Sequence, residues 1–314
     1  MVYRLALSAA VRYGWRMDQI PIVDTHQHLW DLDLLDLPWL EEAPQLARNH
    51  RIDHYLREVA GHGVARAVYM EVDVAPSERP REREVITALC RDPEAPTCGA
   101  VFGATPGSVE FPATVEALAA NPFAKGARLV LHPPNLPADH CLQDAFVNGV
   151  RLLGANGLMF DICIRPTALP EAAELASRCP GTTLILDHCG NADPHIVAGN
   201  GGNPGEPTYG HTREQWLEGM QAVAAQPNVV CKISGIVARA AAGWSAADLA
   251  PAVNHCIDTF GEDRIVFGSD WPVCTFGAPL REWITALREI ISTRPDRLQH
   301  KLLHENATRI YQLA

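Results

Sequence analysis

The stretch Val23-Asp24-Thr25-His26-Gln27-His28-Leu29-Trp30 decides how the chain is read. A β-branched run ends in two histidines one residue apart. Side chains of a strand alternate between its faces, so His26 and His28 point the same way. Two imidazoles converging at a strand end are a ready pair of ligands for a divalent metal. Without a metal, the same pair could donate hydrogen bonds to a developing oxyanion. Read alone, the pair also has a plainer account as two histidines hydrogen-bonded at a barrel rim.

Working outward, short apolar runs alternate with helical stretches along the chain. Strands are predicted at 20–26, 66–72, 97–104, 126–131, 158–164, 182–188, 229–234 and 264–269. Helices are predicted at 52–61, 81–91, 111–120, 142–155, 169–178, 213–225, 246–260 and 280–293, where apolar residues recur at three- and four-residue spacing. Apolar strands separated by helices imply a parallel sheet covered on both faces. Eight such units, spaced near the roughly 30 residues per unit of a typical barrel, predict a single-domain α/β (β/α)₈ TIM barrel. No glycine-rich phosphate loop follows the first strand, which weakens a dinucleotide-binding alternative.

Two further strand ends carry chemistry-bearing side chains. Leu184-Ile185-Leu186-Asp187-His188-Cys189-Gly190-Asn191 closes an apolar strand with His188. Phe267-Gly268-Ser269-Asp270-Trp271-Pro272 places Asp270 just past the last strand. There a carboxylate can ligate a metal and take a proton from water. Each has a plainer reading: a histidine bonded to backbone, and a turn aspartate. Together, three strand ends on one barrel face outweigh those readings, because active sites of this fold are built at that face. The long connections 29–51 and 189–212 leave the same face. Within the second, 199–205 also reads as a disordered surface insertion.

Arg128 on strand 4 must find a carboxylate or a polar ligand. Glu71 and Asp161 are its internal candidates, and Glu71 and Lys232 raise the same question at strands 2 and 7. Trp30, Trp39 and Trp271 flank the predicted site, with faces suited to sugar rings. Cys189 is read as a small core residue facing away, and no Gly-x-Ser-x-Gly elbow offers a serine nucleophile.

Composition narrows the functions. Among 314 residues, 47% are apolar and 20% charged, as in a chain with a large core. A net charge of −11 argues against nucleic acid as a partner. No apolar run is long enough to span a membrane. Nine cysteines without a Cys-x-x-Cys pair read as reduced, cytoplasmic thiols. Residues 1–19, with Arg4, Arg12 and Arg16 but no acid before Asp18, are read as an extension before a barrel spanning 20–314. Met17 is the expected first residue of the native protein. The expected partner is a small-molecule substrate; no self-complementary surface is legible.

Taken in order, VDTHQHLW, Pro38-Trp39-Leu40, LILDHCGN, Cys231-Lys232-Ile233-Ser234-Gly235 and FGSDWP resemble the amidohydrolase-2 group of the amidohydrolase superfamily. The first two pieces are most similar to sugar lactonases and, more distantly, to hydrolases of pyrone dicarboxylates. The resemblance implies an amidohydrolase-like barrel in which His26, His28 and Asp270 hold a metal, with Asp270 the general base and His188 a further catalytic residue. It implies Arg128 as a substrate contact, to which Trp30, Glu71 and Lys232 are added as neighbours of the site. Members with two metals carry a lysine at the end of strand 4 and others a histidine on strand 5; this chain has Arg128 and Asp161 in those strands. One divalent ion, zinc before manganese, is therefore expected, with a metal-independent centre as the other option. The implied activity is lactone hydrolysis in carbohydrate metabolism. The alternative is metal-dependent decarboxylation of an unsaturated acid, and a non-catalytic sugar-binding barrel is a third reading.

Overall fold

The computed structural model describes residues 20–133, 136–199 and 210–313. The extension 1–19 and the glycine-rich stretch after Gly199 lie outside them. Eight strands form one sheet in sequence order: β1 (Ile22–Gln27), β2 (Val64–Met70), β3 (Thr97–Gly103), β4 (Ala124–Val130), β5 (Met159–Cys163), β6 (Leu184–Leu186), β7 (Val229–Ile233) and β8 (Ile265–Phe267). Every neighbouring pair is parallel. A parallel bridge between Gln27 and Trp271 brings the end of β8 back to β1. His28 N–H donates to Trp271 O at 2.8 Å and Asp270 N–H to His26 O at 2.9 Å across this seam. The predicted barrel is thus present, with all eight strands in the predicted order.

After each strand runs a helix: α1 (Ile52–Val59), α2 (Arg79–Cys90), α3 (Phe111–Ala119), α4 (Asp144–Ala155), α5 (Leu169–Arg178), α6 (Arg213–Ala224), α7 (Ala246–Phe260) and α8 (Leu280–Ile291). The bounds of α5 and α7 coincide with those read from apolar spacing. The stretch predicted to start at 142 is broken instead. A 3₁₀ turn (Ala138–Leu142) precedes α4, and Gln143 between them is extended at φ −58°, ψ 137°. Strands β6 and β8 are shorter than predicted, because the chain turns sharply after each to present site residues.

The apolar residues divide into two layers. One fills the space between sheet and helices. The other lies inside the barrel, where Val23, Val68, Met70, Val101, Ile185, Val230 and Val266 meet Ala307, Tyr311 and Leu313 from the chain's end. The C-terminal segment therefore plugs the end of the barrel away from the site. At the opposite end the interior turns polar, with His26, Glu71, Arg128, Asp161, Asp187, Lys232 and Asp270 all buried. All nine cysteines are free thiols. No helix among the described residues is long and apolar enough to cross a membrane.

Candidate active site

The site is built at the seam where the barrel closes. Asp24 ties its parts together: its carboxylate accepts from Tyr55 Oη at 2.6 Å, Ser269 N at 2.8 Å and His26 N at 3.0 Å. Thr25 Oγ1 donates to Phe267 O at 2.6 Å. A register irregularity lies between Asp24 and Gln27. Beyond it, His26 and His28 both point inward, and their Nε2 atoms come within 3.1 Å. Asp270, at φ 58°, turns its carboxylate onto them: Oδ1 lies 3.6 Å from His26 Nε2 and 3.4 Å from His28 Nε2. Trp283 of α8 clamps the turn by donating from Nε1 to Gly268 O at 3.2 Å.

His188 completes the group by an unusual path. Residues 188–191 are all left-handed, with φ of 56°, 52°, 66° and 56°. Its ring lies 4.6 Å from that of His26, and Nδ1 is hydrogen-bonded to Ser234 Oγ at 3.0 Å. Trp216 of α6 donates to Cys189 O at 2.9 Å, which holds the turn; Cys189 itself is buried.

Beneath these residues lies a layer of buried charge. Arg128 donates from Nε to Glu71 Oε1 at 2.6 Å and from Nη2 to Glu71 O at 2.9 Å. Lys232 Nζ lies 2.7 Å from Asp161 Oδ2, 2.9 Å from Asp187 Oδ1 and 3.2 Å from His26 Nδ1. Its carboxylate partners hold the Lys232 ammonium above its ordinary pKa against the opposing effect of burial. Burial, reinforced by the Lys232 charge, pushes His26 well down, so the ring is neutral and fit to act as a ligand. His188 is likewise lowered by burial. Burial would raise Asp270, yet the neighbouring histidines, His188 first, outweigh it and hold the carboxylate below its ordinary range.

The donor set fits a divalent metal ion. His28 Nδ1 faces the carbonyl of Met70 at 3.0 Å. A carbonyl only accepts, so Nδ1 carries the proton and the Nε2 lone pair faces the site. Ligands held tetrahedrally about 2.1 Å from a zinc lie about 3.4 Å from one another. His26 Nε2, His28 Nε2 and Asp270 Oδ1 are 3.1, 3.4 and 3.6 Å apart. His26, Asp187 and His188 form a second such group among the described residues.

The structure thus brings His26, His28, His188 and Asp270 together. It treats the expected substrate contacts differently. Lys232 is fully buried against Asp161, Asp187 and His26, so it cannot reach a ligand in the mouth. Glu71 is taken by Arg128. Trp30, only 3% exposed, donates to Arg48 O at 2.7 Å and packs in T-shaped contact with Trp39 and His50, so it has little surface left for a ligand. Arg128 stays at the site, with Nη1 3.3 Å from His26 Nε2. Sequence reasoning offered Asp161 as a partner for Arg128, whereas it pairs with Lys232, and it did not place Asp187 or Ser234. Asp187 could have been found from its position directly before His188 at the end of an apolar strand, where a buried carboxylate needs a cation.

Fold and site together define a metal-competent hydrolytic barrel, and the amidohydrolase family profile matches residues 23–313. The chain belongs to that family and is a hydrolase. Two L-fucono-1,5-lactonases are similar to it. The one from Burkholderia multivorans is 29% identical over 271 residues, 83% of this chain and 85% of that one. The one from Burkholderia ambifaria is 28% identical over 254 residues, 80% of each chain. The fold is shared with a solved amidohydrolase from Burkholderia multivorans with bound zinc, at a TM-score of 0.78 and 24% identity over 94% of this chain and 100% of that one.

Proposed function

We propose that the protein hydrolyses the ring ester of a small sugar-derived lactone, with Asp270 as general base and one divalent ion held by His26, His28 and Asp270. The observation that carries the reading is the ionised Asp270 carboxylate set against both histidine Nε2 atoms at the barrel mouth. The two lactonase relatives support lactones as the substrate class. Two imidazoles and a carboxylate suit zinc first and manganese second.

A bound divalent ion supplies Lewis-acid polarisation of the carbonyl and a water of lowered pKa. The chain's own residues do the rest. Asp270 takes a proton from the attacking water. The acid so formed returns it to the ring oxygen as the C–O bond breaks. His188, anchored through Nδ1 to Ser234, leaves Nε2 to orient the carbonyl or the water. Arg128 Nη1 lines the inner wall.

The test is proton release from purified protein against aldonolactones, before and after chelation. Asp270→Asn is expected to stay folded and to lose about 10²–10⁴ in turnover. Chelation is expected to abolish turnover, and zinc or manganese to restore it. Unchanged turnover in Asp270→Asn would remove the general-base assignment. Turnover that survives chelation would remove the metal. Release of CO₂ from an unsaturated acid, with no lactone opened, would put the decarboxylase reading in its place.

A further inference from the structure

The group formed by His26, Asp187 and His188 has ligand atoms within 4.8 Å of one another, as does the outer group of His26, His28 and Asp270. By residue type the two are equally suited to a divalent ion. They differ in what already stands beside them. Both oxygens of Asp187 face a protein cation: Lys232 Nζ lies 2.9 Å from Oδ1, and Arg128 Nη1 3.5 Å from Oδ2. Lys232 Nζ also lies 3.2 Å from His26 Nδ1 and 2.7 Å from Asp161 Oδ2.

An ammonium has three donors and no acceptor; one bonds Asp161 Oδ2, and the charge is paired with both Asp161 and Asp187. Lys232, Asp161 and Asp187 are entirely buried, so no water screens the ammonium from a second cation placed against the same carboxylates. In the outer group, by contrast, neither His28 nor Asp270 is paired with a lysine or arginine among the described residues. Arg128 Nη1 approaches it only at His26 Nε2.

We propose that Lys232 is a resident second cation: its ammonium takes the place of a metal ion in the inner group, holding Asp161 and Asp187 in position and limiting the centre to one divalent ion at His26, His28 and Asp270. The ammonium does there what a metal would do for two buried carboxylates. It pairs with both without needing to be acquired from solution.

The count of zinc ions per chain tests this, measured by elemental analysis after equilibration with excess zinc and removal of the unbound ion. Wild type is expected to hold one. Lys232→Met keeps the apolar stem and removes the charge, and is expected to hold two, the shared His26 ring releasing its remaining proton to bridge the ions as imidazolate, with its melting temperature rising on the second equivalent. Asp161→Asn combined with Lys232→Met removes one of the two stranded carboxylates and is measured alongside, so the count does not depend on the single variant folding. Two ions in wild type, or one ion in either folded variant, overturns the proposal. So does failure of both variants to fold with zinc present, since a metal then cannot replace the ammonium. The inference rests on the metal reading of the outer group, and wild type with no zinc would sink both. Lactone turnover is not read, so failure of the substrate assignment leaves the count untouched.

Discussion

His188 reaches the site because four consecutive residues adopt a conformation that only glycine takes readily. Left-handed backbone costs of the order of 1–3 kcal/mol for each non-glycine residue. Here it is offset by bonds that tie the turn on several sides. Asn191 donates to Ile164 O at 2.7 Å, Arg239 binds Asn191 O and Oδ1 at 2.9 and 2.8 Å, and Trp216 binds Cys189 O. Gly235 faces the His188 ring, where any Cβ would overlap its Nδ1, Cγ and Cβ, and its own φ is 71°. Gly235→Ala is therefore expected to lower stability by about 1–3 kcal/mol and to displace His188. Misplacement on that scale costs about 10²-fold in turnover. Urea denaturation and lactone kinetics on the same preparation check both. Full activity at wild-type stability would contradict the steric argument.

At the scale of elements, β2 and α2 meet through a buried acid that plays no part in the proposed chemistry. Glu82 Oε1 accepts from Tyr69 Oη at 2.9 Å and Val72 N at 3.1 Å, while Oε2 is buried without a hydrogen-bond partner among the described residues. Burial and the nearby Glu71 charge push Glu82 up from 4.5 to about 7. The folded chain therefore binds this proton more tightly than the unfolded chain. The group's contribution is fully favourable below about 4.5 and is lost as pH rises through about 7. Glu82→Gln mimics the protonated acid. It is expected to be more stable than wild type at pH 8, by on the order of 3 kcal/mol, and close to it at pH 4.5. Melting temperatures of the two proteins at both pH values decide this. A difference independent of pH would show that Glu82 does not titrate in this window.

At the scale of the molecule, the barrel interior is divided lengthwise. Charge occupies the end that carries the site, and apolar side chains occupy the end sealed by the chain's last residues. Tyr311 is fully buried among Val23, Val68, Val101 and Val266. Tyr311→Ala would open a cavity beneath the charged layer and is expected to cost about 3–5 kcal/mol, as truncations of large buried aromatics do. The outer histidine pair should persist in any protein that still folds, because Asp24, Ser269 and Met70 hold it from the opposite side. Chemical denaturation measures the first effect and zinc binding by the folded variant the second.

The sequence by itself determined the barrel and the convergence of the strand-end histidines with Asp270. The apolar period distinguishes eight strands from eight helices, and a strand's alternation puts His26 and His28 on one face. Both are local rules that need no knowledge of neighbours. The partners of the charged residues were decided by tertiary structure. Arg128 found Glu71 and Asp187, and Lys232 found Asp161 and Asp187, across separations of 45 to 71 residues in the chain. Alternation also fails after Leu186, where left-handed residues let Asp187 and His188 serve the same site although they are neighbours. A buried charge takes whichever opposite charge the closed barrel brings within reach, and closure is a property of all eight strands at once. Sequence could mark Lys232 as needing a partner, but only the assembled interior shows that the partners lie beneath the histidines.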